Sequence, residues 1–255
     1  MSSILSESGF GLEGEKSDIP ASLVHLLRTR AQNEPETIVH TFLPDGINPG
    51  PYRSFAGIDH NARAVAAALN EHGSTDARAL LLYAPGLEFI DAFFGCLYAG
   101  TVAAPAFPPD PNRIEQTIAR LQSLAYDSQA RFVLTTTPIL HLLRPAVQND
   151  PILSRLTWIA TDQIALGAAD TWKEHLPKPD ELAYFQYTSG STRTPHGVCL
   201  THGNLVHNSA RIGRMFEVSK SDITVNWLPM YHNLGLIGCI LQPFFVSVTS
   251  LTMSH

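Results

Sequence analysis

Ala79-Leu80-Leu81-Leu82-Tyr83-Ala84-Pro85-Gly86, then Leu87 through Ala99, then Val102-Ala103-Ala104-Pro105, is the stretch that decides the fold. Its first five residues are a short apolar run closed by a Pro-Gly turn, the pattern of a buried strand. Leu87 to Ala99 carries Phe89, Phe93, Phe94 and Leu97 at helical spacing. Val102 to Pro105 is apolar and brief again. A strand, a helix and a second strand in this order predict two parallel strands joined by a crossover helix.

The same rhythm extends in both directions. Downstream, the Pro-rich Phe107 to Pro111 leads to Asn112, expected to cap a helix running to Asp127. Arg131 to Thr135 reads as a strand, Pro138 to Gln148 as a helix and Leu156 to Ala160 as a strand. A strand around Tyr184, a helix from Asn204 to Phe216 and a strand from Ile223 to Leu228 follow. Upstream, Ile58 to His72 reads as an Ala-rich helix ended by Gly73. The turn residues Pro44 to Pro51 interrupt a hairpin, and Pro20 opens an amphipathic helix with Leu23, Leu26, Leu27 and Ala31 on one side. Met1 to Asp18, rich in Ser, Gly and Glu, is expected to be a flexible tail. The fold class expected is α/β, a mostly parallel sheet with flanking helices, whose ligands bind beyond the carboxyl ends of the strands.

Bulk properties narrow the function classes. The 255 residues allow one large domain or two small ones, and 44% hydrophobic with 16% charged content is globular. Net charge is −6 and the Lys and Arg residues are scattered, which argues against nucleic acid as the main partner. The longest apolar runs, Phe93 to Ala99 and Gly235 to Val248, are broken by Gly, Pro, Gln or Ser, so neither reads as a membrane span. The N-terminus lacks the order of a secretory signal. Cys96, Cys199 and Cys239 are far apart in apolar surroundings and read as buried free thiols of a cytoplasmic protein, with no metal site among them.

Two stretches carry polar chemistry. Tyr187-Thr-Ser-Gly-Ser-Thr-Arg-Thr-Pro-His-Gly197 is a hydroxyl-rich loop between an apolar strand and a second apolar segment, Val198 to Thr201. Such a loop offers backbone N–H groups and hydroxyls to an anion, most naturally the phosphates of a nucleotide; an ordinary polar turn has the same composition. The other stretch, Asn226 to Leu236, ends a strand with Pro229, presents Tyr231 and His232, and starts a helix near Leu234. His232 is either a structural residue or a group facing the site. Three rival chemistries fail on spacing. Gly190 and Gly197 are followed by Val198 rather than Lys, unlike a Walker loop. No Gly-x-Ser-x-Gly pentad occurs. His202 and His207 would fall on different faces of a helix, which defeats a zinc pair.

The residues Phe185 to Thr192, Thr201 to Leu205 with His207-Asn208, Trp227 to Gly238 with Leu241-Gln242-Pro243, and Phe93 to Gly100 together resemble the fatty-acyl-AMP ligase branch of the adenylate-forming (AMP-binding) superfamily. The resemblance runs from about Ser22 onward. It implies the N-terminal portion of such an enzyme's large domain over residues 19–255, and activation of a fatty acid with ATP to an acyl-adenylate that passes to an acyl carrier protein or polyketide synthase. In the family's pattern Thr188, Ser189, Gly190, Ser191, Thr192, Thr194 and Gly197 form the phosphate loop. His232 stands beside the substrate carboxylate and the α-phosphate, and Gly235 lets the following helix approach. ATP and Mg2+ are the implied cofactors.

The sequence departs from the pattern at Arg193 (usually Gly), His196 (usually Lys) and Asn233 (usually Asp). A left-handed Arg costs about 1–2 kcal/mol, and a lost charged phosphate contact about 1.5–3 kcal/mol. The adenine-binding region, the Glu that would hold magnesium, the ribose-binding Asp and the small C-terminal domain with its Lys are not found in the chain, which is therefore expected to be inactive alone. A degenerate, non-catalytic acyl- or nucleotide-binding module and an acyl-CoA synthetase stay open as alternatives. Gly235 to Phe245 reads as an apolar helix, either core or the border of an acyl channel.

Overall fold

The computed structural model describes residues 19–187 and 196–254; the expected tail, Met1 to Asp18, lies outside them. The first half comprises helix α1 (Leu23–Asn33), strands β1 (Ile38–Leu43) and β2 (Tyr52–Ser54), α2 (Phe55–Asn70), β3 (Arg78–Leu81), α3 (Leu87–Ala99), β4 (Val102–Pro105), α4 (Ile114–Ser128) and β5 (Phe132–Thr135). Then come α5 (Thr137–Val147), β6 (Thr157–Ala160), β7 (Leu182–Tyr187), β8 (Gly197–Thr201), α6 (His202–Met215), β9 (Ile223–Asn226), a π-helical segment (Leu234–Leu241), α7 (Gln242–Val246) and β10 (Thr249–Met253).

The strands form two sheets. Six run in the order β6-β5-β3-β4-β7-β8, parallel except for β8, which folds back antiparallel on β7. Four run in the order β2-β1-β10-β9, with β1, β10 and β9 parallel and β2 antiparallel. The α/β class is as expected, but Ile223 to Asn226 belongs to the second sheet and does not extend the first. Element type follows from local period, whereas sheet membership depends on a distant partner. For β9 that partner is β10.

The apolar run that opens the decisive stretch is continuous because both faces of the six-stranded sheet are covered. Side chains alternate across a strand, so Ala79 and Leu81 enter one core with Phe93, Tyr184, Leu236 and Phe244. Leu80 and Leu82 enter a second core with Leu121, Leu124, Val133 and Leu143 beneath α4 and α5. Helix α3 is buried on nearly every side, and Gly95 allows close contact with α2, since a Cβ there would collide with Val65. Two buried carboxylates clamp these helices. Asp59 accepts from Arg28 (3.0 Å), Arg63 (2.9 Å) and the Tyr98 hydroxyl (2.8 Å). Asp91 accepts from Arg53 (2.7 Å) and Asn61 (3.1 Å).

Several expected boundaries shift. Helix α1 starts at Leu23, because Ser22 rather than Pro20 opens it by accepting from the His25 N–H (3.2 Å). Helix α2 starts at Phe55, capped by Ser54, and ends at Asn70 with Glu71 as its cap; Gly73, at φ +66°, turns the chain beyond. Asn112 does not cap α4, since its own N–H donates to Asp110 Oδ1 (2.9 Å) and the helix begins after Arg113. Helix α6 begins at His202, where Thr201 and Asn204 form a reciprocal capping box. Gly235 to Phe245 is not one α-helix but the π-helical segment followed by α7. Of the cysteines only Cys96 is buried; Cys199 is exposed on the outermost strand β8 and Cys239 is half-buried.

Candidate functional site

Strands β4 and β7 are neighbours, so their carboxyl ends open side by side. Beyond β4 the chain runs through Ala106 to Phe107; β7 ends at Tyr187, where the hydroxyl-rich loop begins. The segment after β9 reaches the same edge from the other sheet. It is pinned there by Gln186, a buried side chain whose Nε2 donates to the carbonyls of Tyr187 (3.1 Å) and Tyr231 (3.2 Å). The Tyr231 ring lies 4.6 Å from Phe107 and 4.7 Å from His232, and His232 meets Phe107 edge-on at 5.6 Å and 90°.

The backbone of His232 is held on both sides. Its N–H donates to the Pro229 carbonyl (3.0 Å), and its carbonyl accepts from the Leu236 N–H (2.8 Å). The ring itself is half-buried and packs on aromatic faces. This tight turn requires Gly235, where a Cβ would collide with the Pro229 carbonyl oxygen. Asn233 begins the π-helical segment, its Oδ1 accepting from the Leu234 N–H (2.8 Å), a contact that an Asp would make equally well. A π-helix is rare and often found at functional sites. This one buries Leu236, Ile240 and Leu241 and leaves Ile237, Gly238 and Cys239 half-buried.

Both ends of the loop are anchored. The Tyr187 hydroxyl donates to Asp127 Oδ2 on α4 (2.7 Å), and burial followed by that carboxylate holds the phenol well above its ordinary pKa. Gly197 faces Tyr187 across the β7–β8 hairpin, where a Cβ would stand 3.1 Å from the ring. Thr188, Ser189, Gly190, Ser191, Thr192 and Thr194, together with Arg193, lie outside the described residues. His196 is exposed. The structure therefore brings His232 together with Gln186, the last residues of β7 and Gly235.

Three residues at this edge escaped the sequence reading: Phe107, Asp127 and Arg120. The Arg120 guanidinium sits 4.9 Å over the Phe107 ring. Burial holds the Tyr231 phenol above its ordinary pKa while the charge of Arg120 pulls it back. The available signal was the seven-residue spacing of Arg120 and Asp127, two turns apart on one face of α4. Gln186 Oε1 is buried without a partner among the described residues. Arg120 over the Phe107 ring puts a cation at this edge, which suits an anionic ligand such as a phosphate ester. Among the described residues no group of three or more His, Cys, Asp or Glu could hold a metal ion, and no helix is long and apolar enough to cross a membrane.

A family model described as AMP-binding enzyme matches residues 27–255. The medium-chain-fatty-acid–[acyl-carrier-protein] ligase JamA of Moorena producens is 38% identical over 235 residues, which is 92% of this chain and 40% of that protein. The long-chain-fatty-acid–AMP ligase FadD32 of Mycolicibacterium smegmatis is 38% identical over 184 residues, 71% of this chain and 28% of that protein. Among solved structures, the fatty acyl-adenylate ligase from L. pneumophila in complex with acyl adenylate and pyrophosphate matches with a TM-score of 0.83 at 34% identity, over 92% of this chain and 40% of that one. The chain thus spans 40% or less of the length of these relatives.

Proposed function

The chain belongs to the AMP-binding enzyme family, and from that membership we propose that it forms the phosphate-loop part of an enzyme that activates a fatty acid with ATP. On this reading residues 19–255 are part of an adenylation domain. A carboxylate oxygen of the fatty acid attacks the α-phosphorus of ATP, the bond to the β-phosphate oxygen breaks, and pyrophosphate leaves with the negative charge. The acyl-adenylate then passes its acyl group to the thiol of an acyl carrier protein or polyketide synthase and releases AMP, as in cytoplasmic lipid or polyketide biosynthesis.

The observation that supports this best is the convergence of Gln186, Phe107 and His232 at the mouth of the Tyr187–Gly197 loop. Thr188, Ser189, Gly190, Ser191, Thr192 and Thr194 supply N–H and hydroxyl donors where charge develops on the departing phosphates; fixed donors of this kind are commonly the largest contribution to catalysis. His232, wedged against Phe107 and Tyr231, orients the carboxylate against the α-phosphate. The half-buried Ile237, Gly238 and Cys239 border the acyl chain. Among the described residues no cluster of His, Cys, Asp or Glu could hold magnesium.

Pyrophosphate exchange into ATP, run with a panel of fatty acids, tests the proposal. The expected result is fatty-acid-dependent exchange by this chain joined to the remaining length of a relative such as JamA, reduced about 10–100-fold by His232→Ala. Exchange with no fatty-acid dependence would sink it. The substitutions at Arg193 and His196 favour one other reading, a non-catalytic acyl- or nucleotide-binding module, which predicts ATP or fatty-acid binding with no exchange in any length of chain. Transfer to coenzyme A instead of a carrier protein would select an acyl-CoA synthetase.

A further inference from the structure

Resting on the nucleotide reading above, we propose that Arg120 is a further polyphosphate-binding residue of this site, a cation supplied by helix α4 rather than by the loop. Three observations carry it. Arg120 stands at the carboxyl edge of β4, stacked on Phe107, whose ring in turn touches Tyr231 and His232. A guanidinium over a ring face spends none of its N–H donors on that contact, so they stay available to a phosphate.

Charge accounting singles out the same residue. The cavity beside Phe107, about 130 Å3, is lined by Arg113, Gln116, Thr117 and Arg120, and by one carboxylate, Asp110. Asp110 is already engaged: Arg113 lies 3.7 Å from its Oδ2, and its Oδ1 accepts from the Asn112 N–H. Arg120, by contrast, has neither an ion pair nor a hydrogen bond among the described residues, and stacking on Phe107 is its recorded contact. An Arg left unpaired against an aromatic wall, with a phenol near enough to feel its charge, is poised for an anion that arrives from outside.

The third observation concerns the loop. His196, exposed at its downstream end, stands where the family resemblance leads one to expect Lys. The Tyr187–Asp127 hydrogen bond fastens the upstream end to α4, the same helix and face that carry Arg120. Helix α4 therefore carries both Arg120 and the anchor of the loop's upstream end.

The test is equilibrium binding of ATP, inorganic pyrophosphate, AMP and pantetheine 4′-phosphate to the purified 255-residue chain, to R120Q and to R120K, with melting curves to verify folding. The expected result is that R120Q binds ATP and pyrophosphate about tenfold or more weakly, and that R120K recovers part of the loss. AMP binding should be unchanged. A parent chain that binds ATP and pyrophosphate, with R120Q indifferent to both, overturns the assignment of Arg120 alone. A loss confined to pantetheine 4′-phosphate also overturns it and gives the residue to the acyl acceptor. A parent chain that binds neither ATP nor pyrophosphate, alone or joined to the remaining length of a relative such as JamA, overturns the nucleotide reading and this proposal together.

Discussion

The clamp around α1, α2 and α3 and the carboxyl edge of the six-stranded sheet both concentrate polar side chains, yet they treat them in opposite ways. In the clamp both buried carboxylates are met by several donors, although Arg28 Nε has no hydrogen-bond partner among the described residues. Asp59 takes Arg28, Arg63 and Tyr98, and Asp91 takes Arg53 and Asn61. At the sheet edge, among the described residues, Arg120 has neither an ion pair nor a hydrogen bond and lies over an aromatic ring, Gln186 Oε1 has no partner, and His232 is held by its backbone with its ring against aromatic neighbours. Saturated polar groups stabilise one packing arrangement; unsaturated ones wait for a ligand. The contrast yields an ordered set of expected losses.

The largest falls in the clamp. Asp59→Ala leaves two guanidinium groups and a buried hydroxyl without their shared acceptor, and removing one member of a buried pair costs about 3–5 kcal/mol. A urea titration checks this through its midpoint. If Asp59→Ala costs no more than a surface change, the clamp is not what holds α1, α2 and α3 together.

Acid acts on stability through two buried histidines, His40 on β1 and His202 at the start of α6. Burial lowers the His40 pKa to about 3, and burial, with His175 and His25 nearby, lowers that of His202 to about 4. In the unfolded chain each titrates near about 6.5. The native state thus binds fewer protons between these values. Each histidine's contribution is full above pH 6.5 and is lost as pH falls, at up to about 1.4 kcal/mol per pH unit. Stability followed from pH 7 to 4 should decline, and His202→Gln should make the decline shallower. An unchanged slope would mean that carboxylates alone govern it.

Gly235→Ala has the next effect. Its methyl group would press on the Pro229 carbonyl, and the turn must open to admit it. The expected cost is about 1–3 kcal/mol, as for other overpacked sites. Because the His232 N–H bonds that same carbonyl, ligand binding should weaken beyond the stability loss. A loss of stability with binding intact would separate the turn from the site.

How much of this was legible depends on the range of the interaction. Leu87–Ala99 and Val102–Pro105 emerged with the expected limits, since the period of the apolar residues and the flanking glycines specify them locally. The strand before the hydroxyl-rich loop and the apolar segment after it were legible, while their antiparallel pairing came only with the structure. The split into two sheets did not, because it depends on β9 pairing with β10 and on β1 pairing with β10 across most of the chain. The break of Gly235–Phe245 into a π-helical segment and α7 was hidden for a similar reason: every residue there but Gln242 is apolar or small, so no period betrays the change of winding. At the site, His232 and Gly235 announced themselves in a dense motif. Arg120 looked like one more scattered surface cation, because its stacking on Phe107 exists only once α4 has packed on the sheet.

Arg120→Gln should give the smallest change in stability of the unliganded chain and so sharpen the comparison most. Arg120 is exposed, and its contact with the Phe107 ring is worth about 0.5–1 kcal/mol. The melting temperature of R120Q should therefore stay close to that of the parent. Ligand reverses the ranking. A compound that binds only the native state adds about 2.7 kcal/mol of stability at a hundred times its dissociation constant, so a site weakened tenfold gains about 1.4 kcal/mol less at the same concentration. Melts with and without pyrophosphate should then show parent and R120Q together in buffer and apart with the anion, whereas Asp59→Ala should lie far below both in buffer and still rise with pyrophosphate. If R120Q instead melts low in buffer and gains as much from pyrophosphate as the parent does, Arg120 belongs with the clamp charges, and the contrast between saturated and open polar groups fails at its decisive residue.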